Sequence, residues 1–356
     1  SDWSTTPSGY KALSTANLDD PTIADPSKQV QTTLYTGNGS TQSIDQDGNS
    51  SFQPDWVWIK NRDAADNHVL TDAVRGATKI LASNSSAAES TNADTLTGFE
   101  SDGFALGDDD KVNTNTEKYV AWQWKANGTG SSNTDGDLTA TVSANATSGF
   151  SIIKYQGTGS ATTVGHGLGV APKMVIVKDL DNSRSFNVYH DGLSAATKVI
   201  YLDQNVAEAT DSAVFGSAPT SSIVNIATAN GSNGSGIDYI MYAFADVEGF
   251  SKFGAYTGNA NADGTFVYTG FKPAFLMYKV VSTTDSWEMY DDKRPGFNVQ
   301  GEQLKANLSN AETDDTRVDI LSNGFKARST NTAVNASQTY LYMAFAETPF
   351  KTATAR

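Results

Sequence analysis

Three short phrases recur along this chain three times in the same order, and no other feature constrains its fold as strongly. The first is an aromatic residue running into a glycine turn: Tyr35-Thr36-Gly37-Asn38-Gly39, Tyr155-Gln156-Gly157-Thr158-Gly159 and Tyr256-Thr257-Gly258-Asn259. The second is a proline followed by an apolar run that ends in lysine: Pro54 to Lys60, Pro172 to Lys178 and Pro273 to Lys279. The third closes each copy, as Tyr119-Val120-Ala121-Trp122-Gln123-Trp124, Tyr239-Ile240-Met241-Tyr242-Ala243-Phe244 and Tyr340-Leu341-Tyr342-Met343-Ala344-Phe345. The register is tight: Tyr35 to Tyr155 is 120 positions and Pro54 to Pro172 is 118, while Tyr155 to Tyr256 and Pro172 to Pro273 are both 101. A repeat of this period describes tandem modules of about a hundred residues each.

The apolar runs are short, rich in Val, Ile, Trp, Tyr and Phe, and bounded by Gly, Pro, Asn or Asp, the pattern of β-strands. Each proline stands at the start of its run, where a missing N–H does not interrupt a ladder. Ser101-Asp102-Gly103-Phe104 and Ser322-Asn323-Gly324-Phe325 are matching hairpin turns in copies one and three. The segments 74–81 and 195–202 read as strands for their β-branched content. The fold expected is all-β: three tandem antiparallel β-sandwich modules of jelly-roll or lectin-like topology after an extended N-terminal arm. The boundaries expected are an arm at 1–28, repeats at 29–128, 149–248 and 249–356, and a Gly/Ser-rich linker with a leading strand at 129–148. The short junction at 246–249 predicts that the second and third repeats pack as a pair, with the first set apart.

Function classes are narrowed by composition. Asp and Glu number 40 against 25 Lys and Arg, a net charge of -15, and the basic residues are scattered singly, which excludes a phosphate-backbone partner. No stretch reaches the ~20 apolar residues of a membrane helix, and none near the N-terminus has the form of a secretion signal. The absence of cysteine removes disulfides and thiolate metal sites. His68, His166 and His190 read as turn and surface residues, with His68 and His190 at roughly the same repeat position. Asp108-Asp109-Asp110 lacks the alternating spacing of a calcium loop and reads as a solvated turn. Glu100 with Asp102, and Asp291 with Asp292, are the carboxylate pairs that a glycoside hydrolase would need. No catalytic, metal or cofactor residue is assigned. The candidate glycan contacts are Trp287 and Tyr290, which alternation places on opposite faces of one strand.

Gly9-Tyr10-Lys11-Ala12-Leu13-Ser14-Thr15-Ala16-Asn17-Leu18, followed by the first Tyr-Thr-Gly turn, the run from Phe52 to Lys60, Val74-Arg75-Gly76-Ala77-Thr78-Lys79 and Ser101-Asp102-Gly103-Phe104, resembles repeat-bearing structural proteins of tailed bacteriophages, especially marine and cyanobacterial ones. In that family the phrase often follows a SPRY-like, concanavalin-like domain. The resemblance covers residues 9–128 and implies a non-enzymatic virion component, a tail fibre or an appendage of capsid or tail, located in the particle after assembly in the host cytoplasm. It also implies a homo-oligomer, with a trimer favoured, an arm that docks on a neighbouring subunit or another virion protein, and recognition of a host-surface glycan. The rival expectations are a bacterial cell-surface adhesin or filament subunit, and a carbohydrate-active enzyme.

Overall fold

A computed structural model describes residues 21–348. It is all-β and its sheets are antiparallel. Strands Val30–Thr36, Lys118–Trp124, Trp56–Asn61 and Val69–Asp72 lie side by side in that order. The same order recurs as Phe150–Gln156, Asp238–Phe244, Met174–Asp179 and Asn187–His190, and again as Ser251–Thr257, Thr339–Phe345, Phe275–Val280 and Trp287–Asp291. The closing phrase of each repeat is thus the central strand, flanked by the strands that carry the other two phrases.

The aromatic-glycine phrase is a hydrogen-bonded lock. Tyr35, Tyr155 and Tyr256 stack on Tyr119, Tyr239 and Tyr340 with ring centroids 5.0, 5.3 and 4.8 Å apart. Their hydroxyls donate to Val112 O, Ser232 O and Val334 O at 2.8, 2.7 and 2.8 Å. Beside each pair sits a buried asparagine, Asn113, Asn233 or Asn335. Its Oδ1 accepts the backbone N–H of Asn38, Thr158 or Asn259 at 2.9, 2.8 and 3.0 Å, so the amide holds the glycine turn. A Cβ on Gly37, Gly157 or Gly258 would lie 2.1, 2.4 or 2.0 Å from a carbonyl oxygen, so only glycine fits there.

A second, smaller sheet closes each sandwich. In the first module it is Gln42–Asp45, Gly103–Leu106 and Leu96–Glu100; in the second it shrinks to Thr162–Gly165 with Ile223–Ile226. The third module joins its two sheets through Gln300–Lys305 and Thr313–Leu321, ending on Gly324–Ala327 and Phe266–Tyr268. Val57 and Ile59 pack with Phe104 and Leu106 in one sandwich core, and Leu276 and Tyr278 pack with Val318 and Phe325 in another.

Strands Trp56–Asn61, Met174–Asp179 and Phe275–Val280 are buried at every residue because both of their faces are covered. The face away from each sandwich carries Trp56, Trp58, Met174, Ile176, Phe275 and Met277, and these join one cluster shared by all three modules. Trp56 stacks on Tyr242 at 4.7 Å, Trp124 meets Phe345 edge-on at 5.8 Å, and Phe244 meets Phe345 at 6.2 Å. This corrects the expectation that the first repeat stands apart. The leading strand expected within 129–148 is present as Ala140–Asn145, which pairs with Phe150–Gln156 in the second module's sheet, but the linker is corrected in part, because Ser131–Asn133 is itself a strand paired with Ala140–Asn145.

The modules close head to tail into a ring. Glu89 N–H donates to Leu180 O at 2.9 Å, Glu208 to Val281 O at 2.8 Å and Glu312 to Arg62 O at 2.8 Å, three equivalent bonds running first to second, second to third and third to first. The lysine that ends each proline phrase is buried at the same level. Lys178 Nζ donates to Ser86 O at 3.1 Å and Lys279 Nζ to Asn205 O at 3.3 Å, both across a module boundary, while Lys60 Nζ donates to Ala64 O at 3.0 Å within its own. Burial lowers all three ammonium groups to about 8.

Of the expected arm, residues 1–20 lie outside the described residues. Residues 21–28 dock on their own chain rather than reaching away from it: Ile23 is buried in the shared cluster, and Asp25 caps the turn Pro26–Lys28 through Ser27 N at 3.1 Å while accepting from Ser50 Oγ at 2.6 Å. Because Phe345 touches aromatic rings from every module, replacing it by alanine empties the shared core. Phe345→Ala is expected to cost about 3–5 kcal/mol in urea unfolding, whereas a cost below ~1 kcal/mol would mean that the modules do not depend on this contact.

Candidate functional site

The aromatic and histidine side chains that the sequence singles out for chemistry are accounted for by packing, while Asp102, Asp108 and Asp110 lie exposed. Trp287 and Tyr290 are 2% and 0% exposed, which corrects their assignment as sugar contacts: no face of either ring is open to a ligand. Trp287 lies in the shared cluster and its Nε1 donates to Tyr201 O of the second module at 2.9 Å. Tyr290 lies in the third sandwich core, where its hydroxyl accepts from Gln303 Nε2 at 2.9 Å. The alternation read from sequence holds, but both faces of the strand are interior.

The histidines are interior as well, another correction. His68 Nδ1 accepts from Trp58 Nε1 at 2.8 Å, so Nε2 carries the proton and faces Lys305 O and Leu308 O of the third module, both at 3.1 Å. His190 Nδ1 accepts from Gly192 N at 3.0 Å and Nε2 faces Tyr342 O at 3.2 Å. Burial pushes the first imidazole down to about 3 and the second to about 4. The two are not equivalent: His190 pairs with Met174 as Asp72 does with Trp56, which puts His68 four residues before the matching position and just ahead of the strand Val69–Asp72. His166, also buried, has its pKa lowered by burial and is anchored by Leu168 N and Thr220 O, both at 3.2 Å.

The carboxylates are engaged too. Asp291 takes Arg294 Nε at 2.7 Å and Trp122 Nε1 at 3.1 Å, while Asp292 pairs with Lys272 at 2.8 Å. Glu100 accepts from Ser43 Oγ at 3.1 Å at a hairpin end, with Asp102 in the exposed turn. Asp109 is the N-cap of the short helix Asp110–Asn113. Among the described residues no group of three or more His, Asp or Glu side chains is placed to hold a metal ion, and no helix is long and apolar enough to cross a membrane.

Glu288 is, with Glu347, one of two carboxyls that burial raises to about 7, and its local sequence pattern does not mark it out. It sits in the third sandwich core beside Tyr278 and Tyr290, with Arg317 Nη1 3.3 Å away, and burial raises it to about 7 despite that cation. The carboxyl is wholly enclosed, which suits a core group and denies a substrate access.

Two open surfaces among the described residues bear on recognition. One is a polar cleft of about 390 Å³ between the first and second modules, with Ser86 on one wall and Arg184, Tyr201 and Asp211 on the other. Arg184 is held by the buried Asp179 at 3.2 Å and leaves part of its guanidinium exposed. Burial, then Asp211 and Asp203, raises the Tyr201 phenol. The other is the strand Phe266–Tyr268 of the third module, whose two rings are 45% and 62% exposed. Its Phe-Val-Tyr alternation is legible in the sequence as an outward aromatic pair; the cleft, assembled from loops of two modules, is not.

Glu288 yields a pH test. Its pKa is higher folded than unfolded, so the stability tied to its protonated form is present below about 4.5 and is lost as pH rises through 7. Relative to Glu288→Gln, the native protein should lose on the order of 3 kcal/mol between pH 4.5 and pH 8; parallel stability curves for the two would show that the carboxyl does not titrate as its burial requires.

No curated protein matches this sequence. A family model does, over residues 25–349 and hence across all three modules as one unit, and on that match the chain belongs to the family described as Domain of unknown function (DUF7483).

Proposed function

We propose that this protein is a non-enzymatic structural component of a bacteriophage virion, forming or decorating an appendage. The observation that carries the reading is the ring: three sandwiches locked head to tail by equivalent Glu N–H bonds around one shared core. A body built this way resists local opening without disulfides, since no module can leave without exposing aromatic surface. The resemblance of residues 9–128 to phage structural proteins supplies the setting. The threefold association expected between chains has a counterpart here within one chain, so a single copy offers an appendage a compact, near-symmetric head.

Recognition of a host-surface glycan belongs to the same proposal, with its place moved from the enclosed Trp287 and Tyr290 to the cleft at Arg184, Tyr201 and Asp211. Such a cleft presents a cation, a phenol and a carboxylate, the donor and acceptor set that a saccharide's hydroxyl and acidic groups use. The test is proteomics and gold labelling of purified particles, with glycan-array binding of the isolated chain. The proposal expects the chain at a fixed copy number on an appendage and glycan binding weakened by Arg184→Ala. A chain found in infected lysate but not in particles would overturn it.

A further inference from the structure

The three modules present the same sheet edge in three different states. In the second module the edge strand Thr162–Gly165 is covered by the chain's own segment 136–138. Leu138 forms a parallel bridge with Val164, Leu138 N–H donates to Thr163 O at 3.1 Å, and Asp137 N–H donates to Thr163 Oγ1 at 2.8 Å. That hydroxyl donates back to Asp137 Oδ2 at 2.8 Å, and the aliphatic Leu138 packs on the sandwich core. A Cβ on Gly136 would lie 2.6 Å from Thr163 O, so the approach needs glycine at that point. In the first module the corresponding strand, Gln42–Asp45, shows Ser43 and the acidic Asp45 to solvent, a blunted edge.

The third module's edge is open. Val267 pairs with Phe325, and Ala327 N–H donates to Thr265 O at 3.0 Å, so these residues spend their backbone groups on the neighbouring strand. Alternation then turns the N–H and C=O of Phe266 and Tyr268 outward, as it turns those of Thr163 toward Leu138. Phe266–Tyr268 ends its sheet, and among the described residues nothing pairs with its outer side. Phe266 stands where Thr163 stands in the second module, so an acidic residue above it would find no hydroxyl, whereas an apolar one would meet the ring.

We propose that the edge Phe266–Tyr268 is a docking site for an extended segment of a partner protein, added parallel to that strand, with the pattern glycine, apolar, aliphatic. The segment 136–138 is the template: its glycine and aliphatic positions are kept, and its middle position changes from acidic to apolar because Thr163 is replaced by Phe266. None of the 30 glycines of this chain is followed by an apolar residue and then Val, Ile or Leu, which points away from a second copy and toward a different protein. Main-chain bonds to the edge give such a complex its affinity, and the alternate side chains give it specificity.

The probe is a fluorescent peptide of residues 134–140 carrying Asp137→Val, with the unaltered peptide as its partner, and the readout is anisotropy with the full chain. The Val peptide is expected to bind at least about tenfold tighter than the Asp peptide, since the latter leaves a carboxylate against an aromatic ring. Phe266→Pro removes one outward N–H without touching the internal ladder; it should abolish binding while leaving the melting temperature within a few degrees. Phe266→Thr should reverse the preference between the two peptides. No saturable binding of the Val peptide at millimolar concentration, or binding that survives Phe266→Pro, overturns the proposal. So does a concentration-dependent dimer that Phe266→Pro dissolves, because that result gives the edge to a second copy.

Discussion

The structure depends on burying both faces of one strand in each module. Trp56–Asn61, Met174–Asp179 and Phe275–Val280 each send alternate residues into their own sandwich and into a core common to all three. A small sandwich buries little apolar surface relative to its size. Here the outer faces of three main sheets supply the missing burial to one another, through Trp56, Trp58, Trp122 and Trp124 from the first module, Tyr242 and Phe244 from the second, and Phe275 and Phe345 from the third. The polar ring follows from that packing. Once the sheets meet, the loops at their rims lose water, and their backbone groups must pair across module boundaries. The Glu89, Glu208 and Glu312 amides and the Lys178 and Lys279 ammonium groups do so.

Equivalent positions need not carry equivalent residues once such a ring lies within one chain. Asp72, His190 and Asp291 occupy the same register, yet Asp72 accepts from the Tyr242 hydroxyl at 2.8 Å, His190 faces the Tyr342 carbonyl, and Asp291 accepts from Trp122 Nε1. Each side chain matches a different neighbour on the next module. A homotrimer would have to use one residue three times. Divergence within a chain lets each interface be tuned separately, and it lets the three outer edges become blunted, covered and open.

Much of this was legible in the sequence where it rested on local pattern. The tyrosine-glycine turns, the proline-led strands and the central closing strands recur in register, and the strand order repeats accordingly. The short junction at 246–249 announces that the second and third modules pack together, as Phe244 does against Phe253 and Phe345, but the other contacts between modules escaped. Continuous runs such as Met174 to Val177 announce a strand buried on both faces but do not say what covers the second face. The Gly/Ser-rich stretch after Asn127 carries the composition of a linker, yet Ser131–Asn133 finds a partner in Ala140–Asn145. Histidines that change between copies look like surface residues, and here they vary because the neighbouring module varies. At Trp287 and Tyr290 the sequence shows that the two rings alternate across a strand but not the layers that cover both of its faces.

If one core holds the ring together, the modules cannot open separately. Native-state hydrogen exchange resolved by mass spectrometry measures this directly on the three central strands, Lys118–Trp124, Asp238–Phe244 and Thr339–Phe345. The account predicts that all three exchange with the same opening free energy, equal to that of global unfolding. Exchange of Lys118–Trp124 at a clearly lower free energy than the other two would contradict it, and would return the first module to the independent status that its flanking Gly/Ser-rich segment suggests.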